Sequence, residues 1–332
     1  MKSFNFVANS CLSRTFFLEH KAEYDLDLLF LNDEMRRLAG VFFANCRDLI
    51  ESPKTLERLK HINAQLVAMH LKHKSFINTL VSDLEENQMT IILLKSSAFN
   101  GSLYHSSSPR GNSDIDILVL DKDFHKFGNI IAKYARPFAP KIARPLDNSY
   151  ESTWISDNDA SVIIDVHFAL INPALFKIDH AGLFLQSAKH PAFHSDRIRI
   201  LCSEHNMLHS ALHIFSDGYI PHHSSLDAAM LVKNLQPNIE AARYNSMKWG
   251  CRTAFDFLLL ELNSTFPQIT LESASLVKNS KMLLLRKILK HRYRKHSLKR
   301  RIQQLLLQYF MSDSPLRALK LQLQYVKARV LN

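Results

Sequence analysis

The sequence predicts an α+β protein, a small mixed sheet embedded between two helical regions. Three observations predict it. Apolar residues recur at helical spacing up to about residue 90 and again from about 180 onward. Between these limits the apolar runs are short, of strand length, and bounded by turn residues. Gly is scarce, at 7 of 332, while Phe is abundant at 21, which fits a packed helical interior and excludes collagen-like, Gly-linker and dinucleotide-fingerprint chains.

The elements follow in order. Leu26, Leu28, Leu29, Leu31, Met35 and Leu38 give an early apolar face. Ser52-Pro53 predicts a helix start, with Ser52 as N-cap and Pro53 in the first turn. Ile62, Leu66, Met69, His73, Phe76, Ile77 and Leu80 carry that helix to about Glu86. Ile91–Leu94 reads as a first strand, and Ile115, Ile117, Val119 and Leu120 as a second, with a helix over 123–135. Glu151–Ser156 and Ser161–Phe168 flank Asp157-Asn158-Asp159-Ala160, a hairpin signature. Helices are expected over Leu201–Ser216, Ser225–Asn234, Ile239–Asn245 and Cys251–Asn263. The expected division is 1–88 helical, 89–180 a sheet-bearing core, 181–280 helices packing on that core, and 281–332 a basic helical tail.

The net charge of +11 is unevenly placed. Residues 281–332 hold 14 Lys or Arg and one acid, Asp313, for +13, and the remainder is −2. Cys11, Cys46, Cys202 and Cys251 are dispersed and form no CxxC, so a disulfide framework or a Cys-rich zinc site is not expected and a reduced, cytoplasmic protein is. No apolar run reaches the roughly 20 residues of a membrane span, and the N-terminus has no continuous apolar stretch of signal-peptide type.

The chemistry concentrates in two strands. Asp114 and Asp116 are two apart on an apolar strand, so both point to one face while Ile115 and Ile117 point to the other. Adjacent carboxylates repel unless a cation joins them, and hard Mg²⁺ prefers oxygen ligands. Asp165 sits inside Val162-Ile163-Ile164-Asp165-Val166-His167-Phe168, a costly place for an acid without a partner. If the two strands are neighbours, three carboxylates converge as in a two-metal site for phosphoryl transfer. Taken alone, a DxD on a strand is common, and a buried Asp can simply pair with an Arg.

The order of these motifs resembles the polymerase-β nucleotidyltransferase superfamily, and within it the uncharacterised nucleotidyltransferase family 5. The residues carrying the resemblance are Leu94-Lys95-Ser96, Tyr104, Arg110, Asp114-Ile115-Asp116-Ile117-Leu118-Val119 and Ile164-Asp165-Val166-His167, with a weaker continuation through Leu208–His213 and Leu226–Ala229. It spans roughly residues 60–235. It implies a minimal polymerase-β-type core and a Mg²⁺-dependent transfer of a nucleoside monophosphate from an NTP such as ATP to an acceptor hydroxyl, releasing pyrophosphate. It further implies metal binding by Asp114, Asp116 and Asp165, and nucleotide binding by Lys95, Ser96, Ser97 and Arg110. Lys95 could instead pair with the carboxylates, and Arg110 could be a structural counter-charge. His167 is expected beside the metal ligands or in the core, and His167, His213 and Asp227 are the candidates for a cleft wall. The family's Gly after the Lys is Ser96 here, where a Cβ would crowd phosphates that Gly lets approach closely. A catalytically degenerate nucleotide- or RNA-binding module, and the toxin half of a toxin–antitoxin pair, are the alternatives.

Two further features stand apart. His205, His209 and His213 share a helix face at zinc-like spacing, without HExxH, while His222-His223 after Pro221 reads as a loop. The basic tail, with His291-Arg292-Tyr293-Arg294-Lys295-His296 and Leu316, Leu319, Leu323, Val326 and Val330 at helical spacing, suits a solvated helical face, RNA such as tRNA, or an anionic membrane surface. No P-loop or GxSxG motif is present.

Overall fold

A computed structural model describes residues 2–138, 150–218, 220, 222–269, 271, 280–291, 293, 297–314, 316, 317, 319, 320 and 323. The expected tail residues Arg292, Arg294, Lys295, His296, Val326 and Val330, and Pro221, lie outside them. The chain divides into two compact units. The first takes residues 1–138, 152–168 and 186–201, and the second residues 139–151, 169–185 and 202–332.

The first unit opens with helices α1 (Lys2–Leu12), α2 (Arg14–His20), α3 (Leu26–Leu29), α4 (Asp33–Cys46), α5 (Pro53–Thr79) and α6 (Val81–Glu86). Their starts are written in the side chains: Ser13, Asp25, Asn32 and Ser52 each accept a backbone N–H of the following first turn. Phe6, Phe17, Phe30 and Phe42 form the aromatic core of this bundle, Phe17 meeting Phe42 edge-on at 5.5 Å. The long helix expected to run to Glu86 is broken at Leu80, which is fully buried and ends α5 as α6 begins.

The sheet follows, with helices α7 (Lys95–Phe99) and α8 (Phe124–Ile131) on its connections. Its strands are β1 (Ile91–Leu93), β2 (Asp114–Leu118), β3 (Ala135–Pro137), β4 (Glu151–Ser156), β5 (Ile163–His167), β6 (Ala188–Lys189) and β7 (Ile198–Ile200). The order is β3-β4-β5-β2-β1-β7-β6. β1 pairs antiparallel with β2 and parallel with β7, while β2 pairs parallel with β5. The mixed sheet expected from the sequence is therefore present. The strands β3, β6 and β7 were not expected: two or three residues, one of them Pro137, are too few to show a period of two. The helix expected over 123–135 correspondingly stops at Ile131.

The second unit contains α9 (His180–Gln186), α10 (Ser203–Asp217), α11 (His223–Leu235), α12 (Ile239–Trp249), α13 (Arg252–Thr265), α14 (Ser280–Leu289) and α15 (Leu298–Met311). Leu208, Leu212, Phe255, Leu258 and Leu262 fill its core. The start of the basic segment is built into this core. Leu285, Leu289 and Leu307 are buried, Gln303 donates to the carbonyls of Ile288 and His291, and the Asp313 carboxylate accepts the Arg252 (2.7 Å) and Thr253 (3.1 Å) amides at the head of α13. Deleting residues 281–332 would expose that core, so charge substitutions on the surface are the sounder probe of the basic segment.

Candidate active site

Strands β2 and β5 place the acids. Their parallel register sets Asp114 opposite Ile163 and Asp116 opposite Asp165, so the three carboxylates share one face of the central sheet. Ile115, Ile117, Ile164 and Val166 face the other way and are fully buried. This is the alternation that the sequence predicts, and the strand adjacency it depended on is present.

Asp116 is fully buried. Its Oδ1 accepts from Lys95 Nζ at 2.5 Å and lies 3.3 Å from His167 Nε2. Burial alone would push its carboxyl up, but the Lys95 ammonium and His167 outweigh burial and hold it well below the ordinary carboxylate range. Its Oδ2 is buried and has no hydrogen-bond partner. Asp114 responds in the opposite direction. Burial, with the neighbouring Asp116 and Asp165 charges, pushes it up to about 6 against the relief from Lys95 and Arg37. One face thus carries a firmly ionised acid beside one poised to take a proton.

Lys95 reaches Asp116 because of the turn between β1 and α7. Leu94 is still extended, and Lys95 takes a left-handed backbone with φ of 50°. That conformation costs a Lys about 1 kcal/mol or more. Ser96 and Ser97 then open α7 and are both buried; the Ser97 hydroxyl has no hydrogen-bond partner. Arg110 is buried at 2% exposure, and its guanidinium donates to the Gly111 carbonyl. Asn100 clasps the backbone of Arg110 on both sides, donating to its carbonyl and accepting its N–H, each at 2.9 Å.

Several residues here escaped the sequence reading. Asn112 donates to the Asp114 carbonyl at 2.9 Å and lies 2.9 Å from His73 Nδ1, linking α5 to the start of β2. His73, read from its spacing as part of an apolar helix face, has its pKa pushed down to about 4, chiefly by burial and then by His70. It lines a small crevice with His70, Ser97, Asn100, Asn112 and Phe193. Asn112 stands two residues before the first Asp of the motif, a visible signal; nothing in the sequence joins His73 to it.

His213 and Asp227 belong to the second unit, on α10 and in the buried face of α11. The His205, His209, His213 set does not converge. His205 stacks on Trp249 at 5.3 Å, as expected when i and i+8 lie about 12 Å apart along a helix. The expected loop at His222-His223 is instead a helix start: His222 caps α11, accepting the Ser224 N–H, and His223 is its first residue.

Residues 25–267 match the family model described as uncharacterised nucleotidyltransferase. The chain belongs to that family. No curated protein matches this nucleotidyltransferase. Among solved structures it is similar to JHP933 from Helicobacter pylori, at 12% identity and a TM-score of 0.30 over 79% of this chain and 97% of that one. A second neighbour is described as "putative nucleotidyltransferase from H. pylori", with 11% identity and a TM-score of 0.31 over 72% of this chain and 95% of that one. The nucleotidyltransferase family generally uses an NTP and a divalent metal.

The donor set of this nucleotidyltransferase fits a hard divalent cation. Three carboxylates meet on one face, and one buried carboxylate oxygen is unsatisfied. The raised Asp114 fixes the sign of a pH effect. With Asp114 as a ligand, protons would compete with the cation below about pH 6, and Mg²⁺ or Mn²⁺ affinity is expected to fall about tenfold per pH unit there and to level off above. Calorimetric titration across that range checks this, and an affinity flat through pH 6 would contradict it.

Proposed function

We propose that this nucleotidyltransferase moves a nucleoside monophosphate from a Mg²⁺-bound NTP to an acceptor hydroxyl and releases pyrophosphate. The observation that carries the reading is the in-register pairing of Asp116 with Asp165 beside Asp114 on the central strands. Asp114, Asp116 and Asp165 would hold the metal, which when bound supplies charge neutralisation for the phosphates and activates the acceptor hydroxyl. Asp165 receives the acceptor's proton. Lys95 keeps Asp116 ionised, and Ser96 and Ser97 contact phosphate, Ser97 with a hydroxyl that has no hydrogen-bond partner. Arg110 serves as an internal counter-charge that shapes the loop leading into β2. His167 stands behind Asp116 rather than beside the substrate.

The test supplies Mg²⁺, each α-labelled NTP, and total tRNA or cell extract to the wild type and to Asp114→Ala and Asp165→Ala. Transfer by the wild type alone supports the reading. A wild type that transfers nothing, and binds nucleotide no better than the variants, ends it.

RNA is the acceptor or docking partner favoured by the basic segment, whose described Lys287, Lys290, Lys299 and Arg301 are exposed. Replacing these four by Ala makes the dependence of log tRNA affinity on log salt shallower, by about one for each phosphate no longer neutralised. An unchanged slope removes RNA from the proposal. The cytoplasm is the proposed compartment, since all four cysteines are free and, among the described residues, no helix is long and apolar enough to cross a membrane.

A further inference from the structure

We propose that the second unit binds one zinc-type divalent ion through His213, His222 and His223, with the Asp217 carboxylate as the fourth donor. These residues belong to the second unit and the carboxylates of the sheet to the first, and the proposal does not depend on the nucleotidyl-transfer reading. One ligand atom from each of the three histidines lies within 4.8 Å of the other two. The rings come from two sequence-adjacent elements: His213 and Asp217 from the last turn of α10, His222 and His223 from the head of α11.

The spacing suits an ion better than it suits protons. A tetrahedral ion bound to imidazoles at about 2.05 Å sets their ring centres about 5 Å apart. Here the centres are 5.0 Å apart for His213 and His222, 5.9 Å for His213 and His223, and 4.0 Å for His222 and His223. Three imidazolium ions at such distances would repel strongly, whereas three neutral rings can share one cation. His222 and His223 are buried, so the ion would sit out of bulk water. Asp217 Oδ2 lies 2.5 Å from His222 Nε2 and 3.7 Å from His213 Nδ1, close enough to enter the coordination sphere and to balance the charge. Imidazole nitrogen with one carboxylate is a donor set that Zn²⁺ favours over Mg²⁺.

The proton balance is specific. His222 Nδ1 accepts the Ser224 N–H at 3.1 Å, so in the ion-free ring the proton is on Nε2, facing Asp217. Binding at Nε2 moves that proton to Nδ1, and the Ser224 amide gives up its acceptor. Nothing is released, and the ion takes over from the helix cap in holding α11 to the end of α10. A site with three histidines and a carboxylate is closed to substrate, so its role is structural.

The experiment uses the full chain, stripped with chelator, with Co²⁺ as a spectroscopic probe and Zn²⁺ as competitor, in excess Mg²⁺ to occupy the sheet carboxylates. The expected result is one Co²⁺ per chain with the intense visible bands of tetrahedral coordination, displaced by Zn²⁺. Affinity falls at least tenfold in His213→Gln, His222→Gln and His223→Gln but is unchanged in Asp114→Asn. Zn²⁺ also raises the melting temperature of the wild type and not of His223→Gln, and circular dichroism confirms that the variants are folded. Absence of the tetrahedral bands, wild-type affinity in the three His variants, or loss of binding in Asp114→Asn overturns the proposal. Should a His variant not fold, Asp217→Asn serves in its place: unchanged Co²⁺ affinity and spectrum remove the proposed fourth donor and the site with it.

Discussion

Asp116→Asn lowers nucleotide transfer by about 10³-fold or more while leaving the fold intact. Asn keeps the shape of the side chain and removes only its charge. The wild-type charge is expensive to keep, because Asp116 is fully buried. It is retained by Lys95 at 2.5 Å and by His167 at 3.3 Å, which hold it ionised. A purely structural Lys–Asp pair would survive as a charge-to-amide hydrogen bond, and transfer would drop little. A metal ligand cannot be replaced so cheaply, because the amide offers one neutral oxygen where the carboxylate offered two anionic ones. Labelled-NMP transfer, Mg²⁺ titration and a melting curve should be run together on wild type and variant. Retention of more than about a tenth of wild-type transfer would mean that Asp116 is a structural counter-ion and that the chemistry lies elsewhere.

Gly40→Ala is expected to destabilise the first unit by about 3 kcal/mol, through overpacking rather than through a cavity. A Cβ at Gly40 would lie 2.3 Å from the Pro109 carbonyl oxygen and 3.2 Å from the Ser108 carbonyl carbon, both backbone atoms that no rotamer change can move aside. The same loop is pinned from the other side, since the Gly111 N–H donates to the Arg37 carbonyl at 2.7 Å and a Cβ at Gly111 would meet the Arg37 Cα at 3.0 Å. Helix α4 and the residues leading into β2 therefore approach through two glycines. Displacing Pro109 also displaces Arg110 and Asn112, so transfer activity should fall with stability. Gly128→Ala is the matched control: its Cβ meets nothing within 4 Å, and Ala is the better helix former, so stability should hold or rise slightly. A Gly40→Ala denaturation midpoint within error of wild type, at unchanged slope, would show that the loop yields freely.

What could be read from the sequence depended on how local the signal was. The DxD alternation on β2 and the Asp165 strand repeat every second residue, and both strands formed, though β2 stops at Leu118, short of the expected Leu120, and β5 spans Ile163–His167 within the expected Ser161–Phe168. Ser52 and Pro53 mark the start of α5 within two residues, and that cap formed too. Interactions made at long sequence separation left no such trace. His73 meets Asn112 across 39 positions, and nothing about a His on an apolar helix face distinguishes a site neighbour from a core residue. The short strands β6 and β7 exist only through pairing with each other and with β1. Ser96 in place of the family's Gly was visible, but the residue that takes the left-handed backbone at this turn is its neighbour Lys95.

The parallel pairing of β2 with β5 also bears on how the protein matures. Parallel strands need a long crossover, and such non-local pairings close late because loop entropy is given up before any interaction offsets it. The helices of the first unit carry their own caps and can form early. The carboxylate face does not exist until residues 163–167 dock beside residues 114–118 in the correct register. A slip of one residue would bring Ile164 or Val166 opposite Asp116 and turn the acid of β5 to the apolar side. During refolding, divalent-cation affinity should therefore return after the far-ultraviolet helical signal, making the ion a reporter of the last correct strand placement.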